Sequence, residues 1–356
     1  MSEPHIPYQD TDMNRIPRRL RQLSLIALAS LALSACKGAD SDLSKESVVR
    51  TPEHQSELDK YIEEQFSRPY NIEVLYRYRE YEIGRGWVTS PARAENSLQF
   101  VNVLRYLFLE PYVETTSKTF VRQFSPQALI LTGYYGYNPP PSNTYTLAST
   151  VNGIKIVFMD INHLDFPTLK ALYAEREALQ GKTDATSVAR YNELDAQIKR
   201  TNQSYITTLR TSYLRTIYHE SAHTFHQRVE PTTDFDKITS LDYKGGTWTT
   251  WWTRNGKRSI QYGFISNYAS QEPHEDFAEL FAHYIILTPE EWAAKMQEAD
   301  VIPSGASSSG KELIERKLAI IKEYMTRQWG LDMDLLRSNV QKRYPEFARQ
   351  DFTIIY

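Results

Sequence analysis

Two histidines four residues apart, with a glutamate directly after the first, stand in the middle of this chain: His219-Glu220-Ser221-Ala222-His223. The spacing acquires meaning on a helix. There, residues four apart differ by about 40° around the axis, so both imidazoles share a face, while Glu220, about 100° away, flanks them. Leu214, Tyr218, Ala222 and Phe225 form a separate apolar stripe on the same segment. A helix of this kind needs a partner that covers the stripe and leaves the imidazoles at the rim of a cleft. Without one, the same residues are two surface histidines on an amphipathic helix.

Two imidazoles do not hold a catalytic metal; a third protein ligand and an open position are required. His226 shares the angular face of His219 but lies about 10 Å along the axis, too far for one ion. It is expected to support a ligand or to pack. The downstream stretch 267–284, NYASQEPHEDFAELFAHY, offers carboxylates. Glu275 and Glu279 share a helix face, and the small residues Ala278 and Ala282 let a second helix come close. By spacing alone the segment reads equally well as an acidic helix start, its carboxylates complementing the helix dipole. His274 lies about 100° off the Glu275–Glu279 face.

Resemblance separates the two readings. HExxH followed by a glutamate on a second helix resembles the gluzincin pattern. Tyr268 with Glu275-Asp276-Phe277-Ala278-Glu279-Leu280-Phe281 is similar to the Y-x6-E-x-F-A-E-x-F segment of the anthrax lethal factor group and the related Pro-Pro endopeptidases. The resemblance implies a zincin-like domain with one Zn²⁺ held by His219, His223 and Glu275. It implies Glu220 as general base, Tyr268 facing the reacting carbonyl, and Glu279 supporting a histidine ligand. It covers about residues 218–281. By residue type alone, Tyr268 reads also as a packing tyrosine and Glu279 as a surface salt-bridge partner. The metzincin pattern does not fit, because Thr224-Phe225-His226 lacks the glycine needed after the second histidine.

The N-terminus has a different character. Arg15, Arg18, Arg19 and Arg21 precede an apolar run from Leu23 to Leu33, which ends in Leu33-Ser34-Ala35-Cys36. That layout predicts a signal peptide with a lipobox over 1–36, lipidated at Cys36. Cys36 is the chain's one cysteine, so an internal disulfide is excluded. Residues 37–51 read as a flexible tether and 52–356 as the metallopeptidase domain. Together, lipobox and site motifs resemble the zinc metallopeptidase lipoproteins associated with substrate import in Bacteroidetes-type outer membranes. That implies a lipid-anchored protein of the cell envelope, at the outer membrane. It also implies a peptide or protein substrate, with a TonB-dependent transporter and its SusD-like lipoprotein as partners. A formal charge of −3 over 356 residues leaves no basic field for nucleic acid.

Local signals predict the elements. A helix capped by Thr51 with Pro52 in its first turn runs to about 67, and a strand covers 72–78. A helix spans 92–109 and a strand 128–137. A hairpin over 146–161 turns at Asn152-Gly153. A helical insertion covers about 165–201, broken at 181–184, and a long helix follows over about 204–227. Residues 245–264 read as irregular, with a small hairpin across Asn255-Gly256. The remainder, including the C-terminal part 288–356, is helical: 273–287, a helix capped by Thr288 to Glu291, 311–329, and a short final helix. Strands and helices are segregated, which predicts an α+β fold with a small mixed sheet. The clusters Tyr134-Tyr135-Gly136-Tyr137 and Trp248 to Trp252 allow an alternative function, non-catalytic capture of peptides or glycans.

Overall fold

The computed structural model describes residues 55–83, 87, 89–138, 144–146, 148–151 and 155–356. The expected leader, Cys36, the tether, the cap at Thr51-Pro52 and the turn at Asn152-Gly153 lie outside them. The first described helix, α1 (Glu57–Ile62), starts after its N-cap, Ser56. The reason is a reciprocal cap: the Asp59 amide donates to the Ser56 hydroxyl, and the Asp59 carboxylate accepts from the Ser56 amide. A π-helical turn, Glu63–Ser67, carries it on.

Strand β1 (Glu73–Leu75), helix α2 (Ala94–Leu104), helix α3 (Glu110–Thr115) and strands β2 (Ala128–Leu131), β3 (Gly136–Asn138), β4 (Thr144–Thr146), β5 (Ala148–Val151) and β6 (Lys155–Phe158) follow. The sheet order is β1-β2-β6-β5; β1, β2 and β6 are parallel, and β5 pairs antiparallel with β6. Leu129, Leu131, Ile156 and Phe158 face the main core, whereas Ile130, Val157 and Met159 pack with Ile83 on the other side. Both faces are covered, so these strands read as continuous apolar runs. The strand expected over 128–137 is split, because the chain leaves the sheet at Gly133. A Cβ there would collide with the Asn162 side chain and come within 2.8 Å of the Pro91 carbonyl.

Helices make up the rest: α4 (Lys170–Leu179), α5 (Ala185–Leu209), α6 (Arg215–His226), α7 (Trp248–Arg254), α8 (Pro273–Ile286), α9 (Pro289–Ala299), α10 (Gly310–Trp329) and α11 (Met333–Gln341). No break separates the second helix of the insertion from the one bearing His219. α5 runs into α6 through a π turn, Arg210–Leu214, with helical backbone at both junctions. The hairpin expected at Asn255-Gly256 is instead the end of α7, with Gly256 at φ +60° and the Asn255 side chain donating to the Trp251 carbonyl. The fold is α+β, largely helical with one small mixed sheet and a two-stranded ribbon of β3 and β4. Among the described residues, no helix is long and apolar enough to cross a membrane.

Candidate metal centre

Helix α6 packs along α8. Its stripe of Leu214, Tyr218, Ala222 and Phe225 is buried, as are Phe277, Ala278, Phe281 and Ala282 on α8. The Tyr218 hydroxyl donates to the Leu107 carbonyl (2.9 Å), and Ser221 shares a hydrogen bond with Tyr112 of α3 (2.9 Å). The start of α8 is pinned by a buried ion pair: the Lys317 ammonium of α10 reaches Asp276 at 2.5 Å, and Tyr243 donates to the same oxygen at 2.9 Å.

This packing brings His219, His223 and Glu275 together. His219 Nε2 lies 3.0 Å from His223 Nε2 and 3.0 Å from Glu275 Oε2, and His223 Nε2 lies 3.6 Å from that oxygen. Tetrahedral ligands held at zinc's usual bond lengths are separated by about 3.3 Å, a value within the observed span. Glu275 Oε2 is buried and, while the two ring nitrogens that face it carry no proton, accepts no hydrogen bond. A buried carboxylate oxygen without a donor, beside two imidazoles, fits a cation.

The proton on His219 is controlled from behind. Its Nδ1 faces Glu279 Oε1 at 3.0 Å, and the buried Glu279 also accepts from Arg215 (3.2 Å to each oxygen) and Ser266 (2.6 Å). Burial opposes the Glu279 charge, but His219, His283 and Arg215 together hold its carboxyl well below the usual range. Nδ1 is thereby the protonated nitrogen, and the Nε2 lone pair faces inward. In the metal-free protein, burial disfavours the charged ring of His219, yet Glu275 and Glu279 raise its pKa to about 9. A proton substitutes for the cation that this donor set suits.

His226 stands where the sequence suggested a supporting residue: its Nε2 is 2.5 Å from His223 Nδ1. Burial, with His223 and His274 beside it, lowers its pKa to about 3. His274 is turned away from the triad and pairs with Glu230 at 2.9 Å. Glu220 is half-buried, close enough to influence both His219 and Tyr268, and makes no hydrogen bond or ion pair among the described residues. Tyr268 opens the turn Tyr268–Ser270 before α8 and stacks on the His219 ring (5.7 Å between centroids, 26°). Burial and the neighbouring Glu275 hold its phenol protonated far above its ordinary range. That turn is fixed by Trp252 Nε1 donating to Ser270 Oγ at 2.8 Å and by the Lys244 amide donating to the Ser270 carbonyl at 2.7 Å.

Sequence reasoning missed Arg215 and Ser266, and it named Trp248 only as part of an aromatic cluster; Trp248 packs on Tyr268 with ring centroids 4.9 Å apart. Arg215 was findable, since it lies four residues before His219 and so on its face. Ser266 carried no local signal, and nothing near Trp248 tied it to Tyr268. Of the two aromatic clusters, Trp252 is a core residue, whereas Tyr134, Tyr135 and Tyr137 are 40–46% exposed.

Over residues 51–183 and 174–334 the sequence matches the family described as "Putative zinc-binding metallo-peptidase". No curated protein matches it. Among solved structures, it is similar to a protein of the same description from Bacteroides caccae. Identity is 24% and the TM-score 0.60, over 85% of this chain and 99% of that one.

Proposed function

The chain belongs to this family of zinc-binding metallo-peptidases, and from that premise we propose a lipid-anchored, zinc-dependent peptidase of the gluzincin type. The observation that carries the proposal is the convergence of His219, His223 and Glu275 from two helices, with an unpartnered Glu275 oxygen among them. Zinc held by that set supplies a Lewis acid that polarises the scissile carbonyl and a water acidic enough to ionise near neutral pH.

The chain's own residues do the rest. Glu220 takes the proton of the attacking water on its carboxylate and delivers it to the leaving amine. Tyr268, kept protonated, donates its phenol to the oxygen on which charge develops in the transition state. Glu279 holds the His219 ring and its tautomer, and His226 accepts from His223 Nδ1. A peptide is the fitting substrate. β5 is the sheet's edge, has no further strand partner among the described residues, and lies against α6. An edge strand in this place is suited to pairing with an extended chain beside the candidate metal centre.

Replacing Glu220 by Gln is expected to leave zinc bound and to abolish peptide hydrolysis. A purified variant that cleaves at the wild-type rate rules the mechanism out. Acylation at Cys36, a tether over 37–51 and a place at the outer membrane beside a TonB-dependent transporter with its SusD-like partner complete the proposal. Their support is the leader's sequence pattern and the resemblance. Fatty-acid labelling lost on replacing Cys36 by Ser is the expected result, and persistent labelling removes the anchor. The exposed tyrosines of 134–137 favour one second reading, a capture protein without catalysis. Hydrolysis that a chelator abolishes and zinc restores decides against it.

A further inference from the structure

Beside the triad, and sharing none of its residues, His226, Glu230 and His274 form a second cluster whose potential ligand atoms all lie within 4.8 Å of one another. His226 is the last residue of α6, Glu230 follows four positions later, and His274 is the second residue of α8. The donor set, two imidazoles and a carboxylate, is that of the candidate metal centre, and it suits zinc and its first-row neighbours. His226 is buried, while the side chains of His274 and Glu230 are 48% and 66% exposed.

We propose that His226, Glu230 and His274 form a second, weaker site for a divalent transition-metal ion, and that filling it withdraws the support His226 gives to His223. As the side chains stand, the rings of His226 and His274 are parallel (4.4 Å between centroids, 7°). Their in-plane lone pairs therefore run side by side. His274 and Glu230, paired with each other at 2.9 Å, lie on the solvent side, so convergence on an ion calls for side-chain rotation at the rim.

Proton placement links the two sites. A neutral His223 that presents its Nε2 lone pair to the triad carries its one ring proton on Nδ1. That proton goes to His226 Nε2, 2.5 Å away. Neutral His226 then has its own proton on Nδ1 and no lone pair for another partner. A second ion therefore binds His226 only when the ring turns to offer the ion its Nε2 lone pair, and that turn breaks the contact with His223. The link between sites, though not the second site itself, rests on the reading of the triad as a zinc centre. With two ligands in solvent, the second ion is expected to bind about 10–100-fold more weakly than the first, the range lost when ligands lack orienting partners.

The test is equilibrium dialysis of metal-free protein against graded Zn²⁺, with bound metal counted. Wild type is expected to take two ions per chain, one tight and one weaker. The double variant Glu230→Gln, His274→Ala is expected to keep only the tight ion, and His219→Ala only the weaker. Saturation of wild type at the tight ion alone, or an unchanged second ion in the double variant, overturns the site. In peptide hydrolysis, zinc beyond one equivalent should slow wild type and not His274→Ala, and equal slowing of both overturns the link. Loss of the tight ion alone from wild type counts against the zinc reading of the triad and leaves the second site standing.

Discussion

Glu279 accepts from His219, Arg215 and Ser266 at once while fully buried. At the residue scale the site is thus an arrangement of protons as much as of ligands. His219 shows the consequence for pH. Burial lowers its pKa, but Glu275 and Glu279 raise it from the ordinary 6.5 to about 9 in the metal-free protein. The sign follows: this interaction stabilises the metal-free fold fully below about pH 6.5, and the stabilisation is lost as pH rises through about 9. Zinc has to displace the same proton. Its apparent affinity should therefore climb about tenfold per pH unit up to roughly pH 9 and then level off. Competition with a chromophoric chelator between pH 6 and 9 measures this, and a flat profile would show that His219 is not a ligand. His219, Glu220 and His223 were legible as a group because four residues return a helix to nearly the same angle. Ser266 was not, because nothing in its neighbours' identities says that a carboxylate thirteen residues on will come to rest against it.

Between elements, the contact that sets Glu275 is the pair Asp276–Lys317, which locks the first turn of α8 to α10. Burial pushes the Asp276 carboxyl up and the Lys317 ammonium down, each toward its neutral form. Such a pair contributes little net stability, yet losing one partner strands the other. Lys317→Met is expected to cost about 3–5 kcal/mol in urea unfolding. The double variant Asp276→Leu, Lys317→Met should recover much of that loss. A double variant as unstable as the single one would show that the charges themselves stabilise the junction. Element boundaries divided along similar lines. The Thr288–Glu291 cap was readable because donor and acceptor lie three residues apart. Asn255-Gly256 was misread because its demand for positive φ is met equally by a tight hairpin and by a helix end. The π turn Arg210–Leu214 left no mark in the spacing of apolar residues. It directly precedes the helix that bears His219 and His223, and such turns recur at functional sites.

For the molecule as a whole, closure depends on contacts between the chain's distant parts. Buried Asn102 on α2 accepts from Tyr61 of α1 at 2.5 Å and donates to the carbonyls of Phe352 and Ile354 at 2.9 Å each. Asn102→Leu leaves these partners unpaired and should lower stability by about 1–3 kcal/mol with zinc stoichiometry unchanged. A thermal melt with metal analysis checks both, and an unaltered melting temperature would mean that the tail is not part of the cooperative unit. By itself the sequence determined most of the long helices, the α+β class and the angular grouping of possible ligands. Each of these follows from a fixed rotation per residue and from local capping. Residue spacing left the third ligand open, and tertiary structure decided that Glu275, and not His226 or His274, meets the two imidazoles and that a second histidine cluster forms beside them. Those outcomes depend on how α6 and α8 cross, and that crossing is the sum of many weak contacts between residues some fifty positions apart.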